Sequence, residues 1–221
     1  MGLITLEEVK SSIEVKNFLE VSEKQLEIMG YTEHSFRHVG IVSKAAGNIL
    51  RALDFNNREV ELAKIAGYMH DIGNSVNRVD HAHSGAILAY GILCRLGMDM
   101  REAAEIMLAI GNHDENTGTA VSNISAALIL ADKSDVHRTR VNNKDIAKFD
   151  IHDRVNYAVE SSDVSINKEE KTATLELQID TKICPVMDYF EIFLVRMTMC
   201  RRAAVFLGLN FQLVINKTRL L

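Results

Sequence analysis

At positions 63–73 the chain reads Ala63-Lys64-Ile65-Ala66-Gly67-Tyr68-Met69-His70-Asp71-Ile72-Gly73. The apolar residues up to Met69 predict the last turns of a buried helix. A histidine and a carboxylate at the end of such a helix are costly to bury unless a cation compensates them. Both side chain types are metal ligands, so a metal ion is the simplest compensator. We therefore expect His70 and Asp71 to form the centre of a metal site.

Other His and Asp residues occur at the ends or on the expected inner faces of separate predicted helices. They comprise His34 and His38, His81 and His83, the pair His113-Asp114, and Asp132. Helical bundles build metal sites from ligands that converge from facing helices. Imidazole and carboxylate ligands without thiolates suit Mn, Fe, Ni, Mg or Zn and leave coordination positions open for catalysis. We expect one or two divalent ions.

Composition limits the class of protein. The chain has 221 residues, is 47% hydrophobic and 25% charged, and has a net charge of −5, so it can bury a core of one large domain or two small ones. It has no run rich in Lys and Arg, so we expect no nucleic acid partner. Three isolated cysteines indicate free thiols in a reducing compartment. The chain has no apolar stretch of membrane-spanning length, so we expect no membrane partner. Its start soon turns acidic at Glu7-Glu8, so we expect no signal peptide and a cytoplasmic location.

Hydrophobic periodicity predicts a mainly α protein. The predicted helices span 6–29, 32–53 with Thr32 as N-cap, 58–70, 83–97, 99–110 and 124–131, the last ending near Asp132. After residue 160, alternation predicts a hairpin of 164–167 and 172–179, a helix over 186–207 capped by Gly208, and a final strand over 211–215. We expect a helical, metal-binding part over 1–160. Residues 161–221 would form a small α+β addition with a three-stranded sheet, packed on the same body.

Four motifs in order resemble the HD superfamily of metal-dependent phosphohydrolases over roughly residues 34–138. The order His38, His70-Asp71, Asp132 is similar to the ligand order of that family, and 67–74 resembles its defining motif, with Asn74 where many members have Lys. Residues 81–86 resemble the His-x-x-x-Gly-Ala element of two-metal members. Residues 110–115 with Gly118 resemble the His-His-Glu…Gly element, with Asp114 in place of the second His. Residues 131–135 resemble the closing Asp motif.

The resemblance implies an HD-domain helical bundle and a ligand set. His38, His70, Asp71 and Asp132 would hold one metal, and His81 and His113 would complete a second, with Asp71 as the bridge. His70 and Asp71 would be the catalytic pair. Two residues are candidates for the first ligand. His38 fits the helical spacing better, whereas His34 fits a His-Ser-x-Arg pattern. If His38 is the ligand, His34 would support the site or contact substrate.

The same resemblance implies a phosphomonoesterase or phosphodiesterase that uses metal-activated water on a small, nucleotide-like phosphate ester. No Gly-Tyr-Pro follows Gly118, which argues against cyclic di-GMP phosphodiesterases of the HD-GYP type. Candidates for contact with substrate or for support of the ligands are His34, Arg78, Asp114 and Lys133, and a homodimer is a further option. Two alternatives stay open: a di-iron oxygenase on the same scaffold, and a non-catalytic module that binds a ligand for regulation.

Overall fold

The computed structural model describes residues 3–143 and 145–221. Within them it confirms a mainly α fold with a small carboxy-terminal α+β addition. The helices are α1 Leu6–Ser11, α2 Ile13–Ile28, α3 Phe36–Ala52, α4 Asn57–Met69, α5 His81–Arg95, α6 Met100–Gly111, α7 Asn123–Ser134, α8 Ile151–Ala158 and α9 Val186–Phe206. The strands are β1 Val159–Asn167, β2 Thr172–Ile179, β3 Asn210–Ile215 and β4 Thr218–Arg219. A short 3-10 turn, Ile72–Ser75, follows His70 and Asp71.

Helix α4 is the centre of the helical body, in contact with α1, α3, α6 and α7. Its buried face includes Ile65, Ala66 and Met69, all fully inaccessible to solvent. At Gly67 the backbone of α3 comes so close that a Cβ atom would lie 2.8 Å from the Cα atom of Ser43. This close approach brings the carboxyl end of α4, with His70, towards the first turns of α3, with His38.

Several predicted helix boundaries were wrong. The helix predicted over 83–97 spans His81–Arg95, so His81 lies in its first turn. Helix α3 begins after Ser35, whose hydroxyl accepts a hydrogen bond from the Arg37 backbone N–H, and not after Thr32. The reason is tertiary, because the Glu33 backbone N–H donates to the carbonyl of Arg140 at 2.7 Å and holds this segment outside the helix. The predicted helix over 6–29 is divided at Ser12, where the backbone is extended and the hydroxyl caps α2.

Helix α7 also differs from its prediction. It continues through Ser134, so Asp132 lies inside its last turn and is not the residue that ends it. The apolar pattern stops at Ala131 because the next side chains face a polar centre, not because the backbone leaves the helix.

The carboxy-terminal sheet has four strands in the order β1-β2-β3-β4, so the prediction of three was wrong. The antiparallel β1–β2 hairpin is confirmed, and β3 lies parallel to β2 because α9 crosses between them. The missed strand β4 follows a tight turn in which Asn216 and Lys217 have φ of 50° and 65°. Strand β1 begins at Val159, so the proposed boundary at 160 falls inside it, and the division into two parts stays a prediction.

One continuous core joins the helices to the sheet. On α9, Tyr189, Phe193 and Cys200 are buried, and this helix packs against α7. The three cysteines are free. Among the described residues, no helix has both the length and the apolar composition that crossing a membrane requires.

The turn after Asp71 depends on the absence of a side chain at Gly73. A Cβ atom there would overlap with the His81 carbonyl oxygen and the Gly85 backbone nitrogen. We expect Gly73→Ala to lower the free energy of unfolding by at least about 2 kcal/mol, since overpacking of this kind displaces backbone. Gly40→Ala, in α3 with open space around it, is the control. It should stabilise the protein by about 0.5–1 kcal/mol, and equal urea midpoints for the two variants would contradict this account.

Candidate metal centre

Four buried histidines share one hydrogen-bonding pattern. In each, Nδ1 donates to a protein acceptor: His38 to Asp135 Oδ2 at 2.7 Å, His70 to the Gly67 carbonyl at 2.9 Å, His81 to the Arg78 carbonyl at 3.1 Å, and His113 to the Ile110 carbonyl at 2.6 Å. A proton on Nδ1 leaves the Nε2 lone pair free to bind a metal, and such a hydrogen bond also fixes the ring in place. All four Nε2 atoms are therefore candidate metal ligands.

The first group of ligand atoms comes from α3, from the end of α4 and from α7. His38 Nε2 and His70 Nε2 are 3.3 Å apart and lie 3.5 and 3.2 Å from Asp71 Oδ2. Asp132 Oδ1 is 3.4 and 3.5 Å from the same two nitrogens. Ligand atoms about 2.1 Å from one ion are separated by roughly 3.0–3.4 Å, so this donor set fits a divalent metal.

The second group contains the other carboxylate oxygen of Asp71. His81 Nε2 lies 3.2 Å from His113 Nε2 and 3.7 Å from Asp71 Oδ1. The Asn74 side chain donates to Asp71 Oδ1 at 2.9 Å and holds the carboxylate in this orientation. Asp71 therefore faces both groups, one oxygen to each, which is the geometry of a bridging ligand.

The electrostatics of the centre call for a cation. Burial opposes the charge on His70, but Asp71 and Asp132 outweigh it and raise the pKa of His70 to about 10. Burial also opposes ionisation of Asp71, but His70 and the other neighbouring histidines hold its pKa well below the usual value. Burial together with repulsion from His70 and His81 lowers the pKa of His113 to about 3, so this imidazole is neutral. Without a metal, the His70 imidazolium contacts both Asp71 and Asp132, and Lys133 pairs with the outer oxygen of Asp132. A divalent ion would take over the role of the imidazolium.

The remaining candidates surround the centre. His34 lies beside His38, with ring centroids 5.4 Å apart, and it is not in the groups of convergent ligand atoms found among the described residues. Lys133 is buried and pairs with Asp132 Oδ2 at 2.8 Å, so it holds the carboxylate of a candidate ligand in place. Arg78 Nη1 lies 3.4 Å from His81 Nε2. Asp114 accepts a hydrogen bond within its own loop, from the Asn116 backbone N–H. His83 is exposed.

Sequence reasoning missed two supporting residues. Asp135 accepts hydrogen bonds from His38 and, at 3.2 Å, from Arg37. The sequence signal that could have identified it is its position one helical turn after Asp132. Arg196 of α9 donates to Glu115 Oε1 at 2.9 Å, and Glu115 Oε2 pairs with Lys133 at 2.6 Å. No local pattern marks Arg196, because its role depends on how α9 packs against α7.

Loss of the Asp135 carboxylate tests the support of His38. We expect Asp135→Asn to weaken metal binding by about 10–100-fold, the usual effect of removing the acceptor that orients a ligating histidine. The measurement is titration of the metal-free protein with Mn²⁺ or Zn²⁺ by calorimetry. Asp163→Asn, on an exposed position of β1, is the matched control and should bind as the wild type does. Equal affinities for the two variants would remove Asp135 from this role.

Glu115 makes a pH-dependent contribution to stability. Burial opposes its ionisation, but Lys133 and Arg196 outweigh burial and hold the pKa of Glu115 well below its usual 4.5. The ionised form is thus stabilised in the folded state, and this stabilisation is complete well above pH 4.5 and declines as the pH falls below it.

We expect Glu115→Gln to lower the unfolding free energy by about 1–3 kcal/mol at pH 7, the scale of a lost hydrogen bond to a charged group. The difference from the wild type should shrink as acid is added below the usual carboxyl pKa. Urea unfolding at several pH values measures it, and a difference that is constant with pH would refute the assignment.

Comparison with known proteins agrees with this geometry. The HD domain model matches residues 31–155, more than half of the chain. No curated protein matches the chain. A crystal structure of a predicted HD superfamily hydrolase from an uncultured Thermotogales bacterium is 29% identical, with a TM-score of 0.44, over 56% of this chain and 67% of that one. Because this domain match covers more than half of the chain, the chain belongs to the HD-domain family of metal-dependent hydrolases.

Proposed function

We propose that the protein is a metal-dependent phosphohydrolase that acts on a small, nucleotide-like phosphate ester. The observation that carries the proposal is the convergence of four Nε2 atoms on two carboxylates, with Asp71 turned to both groups. A purely structural metal site is closed by its ligands, and here histidines and carboxylates without thiolates suit a site that keeps open positions. Family membership supports hydrolysis as the reaction.

The ligand assignment is part of this proposal. His38, His70, Asp71 and Asp132 would hold one ion, and Asp71, His81 and His113 a second. When bound, divalent ions supply a Lewis acid that polarises a phosphoryl oxygen and lowers the pKa of water. Either a phosphomonoester or a phosphodiester is compatible with that chemistry, and Mn, Fe, Ni, Mg and Zn all accept these ligands.

The chain's own side chains contribute orientation and charge. Asn74 orients Asp71, and Lys133 orients Asp132 while it neutralises one of its oxygens. Arg78, beside His81, supplies positive charge where the ester oxygens gain negative charge during the reaction. His34 has Nδ1 bound to the Thr32 carbonyl, and among the described residues its Nε2 has no partner, so Nε2 is available for a hydrogen bond to substrate.

The proposal predicts that loss of Asp71, the residue proposed to bridge the two ions, affects both metal sites. Asp71→Ala should remove both ions together, and His70→Ala should remove at least the first. In each case hydrolysis should fall at least about a thousandfold, because a metal supplies several kcal/mol of transition-state stabilisation. The measurements are elemental analysis and turnover of a panel of phosphate monoesters and diesters with Mn, Fe, Ni or Mg.

His83→Ala is the control, because His83 lies on α5 two residues from His81 and is exposed. It should keep metal content and activity. Full metal occupancy in Asp71→Ala would overturn the ligand assignment. Dioxygen consumption by a two-iron preparation would favour the oxygenase alternative, and ligand binding without turnover of any ester would favour the regulatory module.

A further inference from the structure

Helix α9 lies outside the matched domain, yet its Arg196 is connected to the metal centre by charged side chains. Arg196 Nε donates to Glu115 Oε1 at 2.9 Å, and Glu115 Oε2 pairs with Lys133 at 2.6 Å. Lys133 in turn pairs with Asp132 Oδ2 at 2.8 Å. Arg196 therefore belongs to the same charge network as the proposed ligand Asp132.

Two contacts fix the position of the Arg196 guanidinium and leave part of its hydrogen-bonding capacity unused. Its central carbon lies 4.5 Å from the centroid of the Phe193 ring, so stacking and the Glu115 bond fix its plane. Among the described residues, neither Nη atom of Arg196 donates a hydrogen bond, and the side chain is 24% exposed. By contrast, Arg140 directs its three nitrogens to the backbone carbonyls of Glu33 and Asp135, so it has little left for a ligand.

Arg78 offers a second cation to the same space. Its Nη1 lies 3.2 Å from Asn74 Oδ1, and its guanidinium lies 5.5 Å from the centroid of the Tyr31 ring. Within the described part of the chain, its Nε and Nη2 atoms make no hydrogen bond. Two arginines, each oriented by an aromatic ring and by polar contacts of one nitrogen, thus present free N–H groups. Such planar groups suit the oxygens of phosphate.

Both arginines line one cavity of about 300 Å³, together with His34. The cavity borders the metal centre, since His34 lies against His38 and Arg78 lies against His81. Asp150, Asp153 and Asn156 of the α8 region line it as well and offer acceptors for hydroxyl or amino groups. The volume is at the lower end for small-molecule sites, so it suits one compact organic group and not a polymer.

We propose that Arg196 and Arg78 are the anion-binding pair of a substrate cavity, and that this cavity takes a phosphate monoester of about mononucleotide size. The phosphate lies between the arginines and the metal centre, and the polar organic group lies against α8. The inference rests on the proposed function for its substrate class. It gives the carboxy-terminal addition a definite role, the supply of Arg196 to a site whose metal ligands all come from the matched domain.

The test is the binding of orthophosphate, measured by calorimetry on the metal-loaded and on the metal-free protein. Arg196→Met should weaken binding by about 10–100-fold in both forms, the effect of losing charge-assisted hydrogen bonds. Metal content should not change, since Arg196 is not a ligand. Arg202→Met, an exposed arginine on the same helix, is the matched control and should bind phosphate as the wild type does.

Two further measurements separate direct binding from a structural role. Arg196→Lys should recover part of the affinity, and added guanidinium ion should partly restore binding to Arg196→Met. Arg78→Met should weaken phosphate binding by a similar factor, and it tests the cavity even where Arg196→Met fails to fold. Wild-type affinity for phosphate in folded Arg196→Met, or in Arg78→Met, would overturn the proposal.

The outcome is separable from that of the proposed function. Phosphate binding that depends on both arginines, with no turnover of any ester, would keep the cavity and reject the phosphohydrolase. Turnover of esters with a KM that neither substitution changes would keep the phosphohydrolase and reject the cavity. Among inhibitors, a nucleoside monophosphate should compete with orthophosphate at the cavity. A dinucleotide that competes equally well would contradict the proposed size limit.

Discussion

Four imidazole lone pairs and the negative charges of two carboxylates converge in one buried region, in two groups that meet at Asp71, and the rest of the structure depends on this arrangement. Atoms of this kind repel one another in the absence of a cation, and His38 Nε2 and His70 Nε2 lie only 3.3 Å apart. A proton on His70 relieves part of the repulsion, since the pKa of His70 is raised to about 10. Divalent ions would relieve it more completely, because each ion would accept the lone pairs of its own group.

The fold holds these side chains in place against that repulsion. Each histidine has its Nδ1 atom bonded to a backbone carbonyl or, for His38, to Asp135, so the rings cannot turn away. The helices themselves approach closely, and Gly67 and Gly73 are the positions where a side chain would prevent this. Gly67 and Gly73 thus allow α3 and α5 to approach the end of α4 closely enough for the histidines and carboxylates to converge.

The carboxy-terminal addition takes part in the same network. Arg196 bonds to Glu115, and Lys133 joins Glu115 to Asp132, so α9 is connected to the centre through charged contacts as well as through the apolar core. Burial of these charges is costly unless they are paired, and each one has its partner. This network accounts for a buried lysine beside a metal-ligand candidate, which would otherwise repel a cation.

Sequence by itself determined the helical class, the hairpin and the order of the motifs, because hydrophobic periodicity and ligand spacing are local properties of the chain. It singled out His38, His70, Asp71, His81, His113 and Asp132, which the structure brings together. Only the tertiary structure decided that α3 begins after Ser35, that a fourth strand adds to the edge of the sheet, and that His38 and not His34 turns to the centre. It also brought in Asp135 and Arg196, because contacts between residues distant in the chain depend on how the helices pack, and no local pattern records that packing.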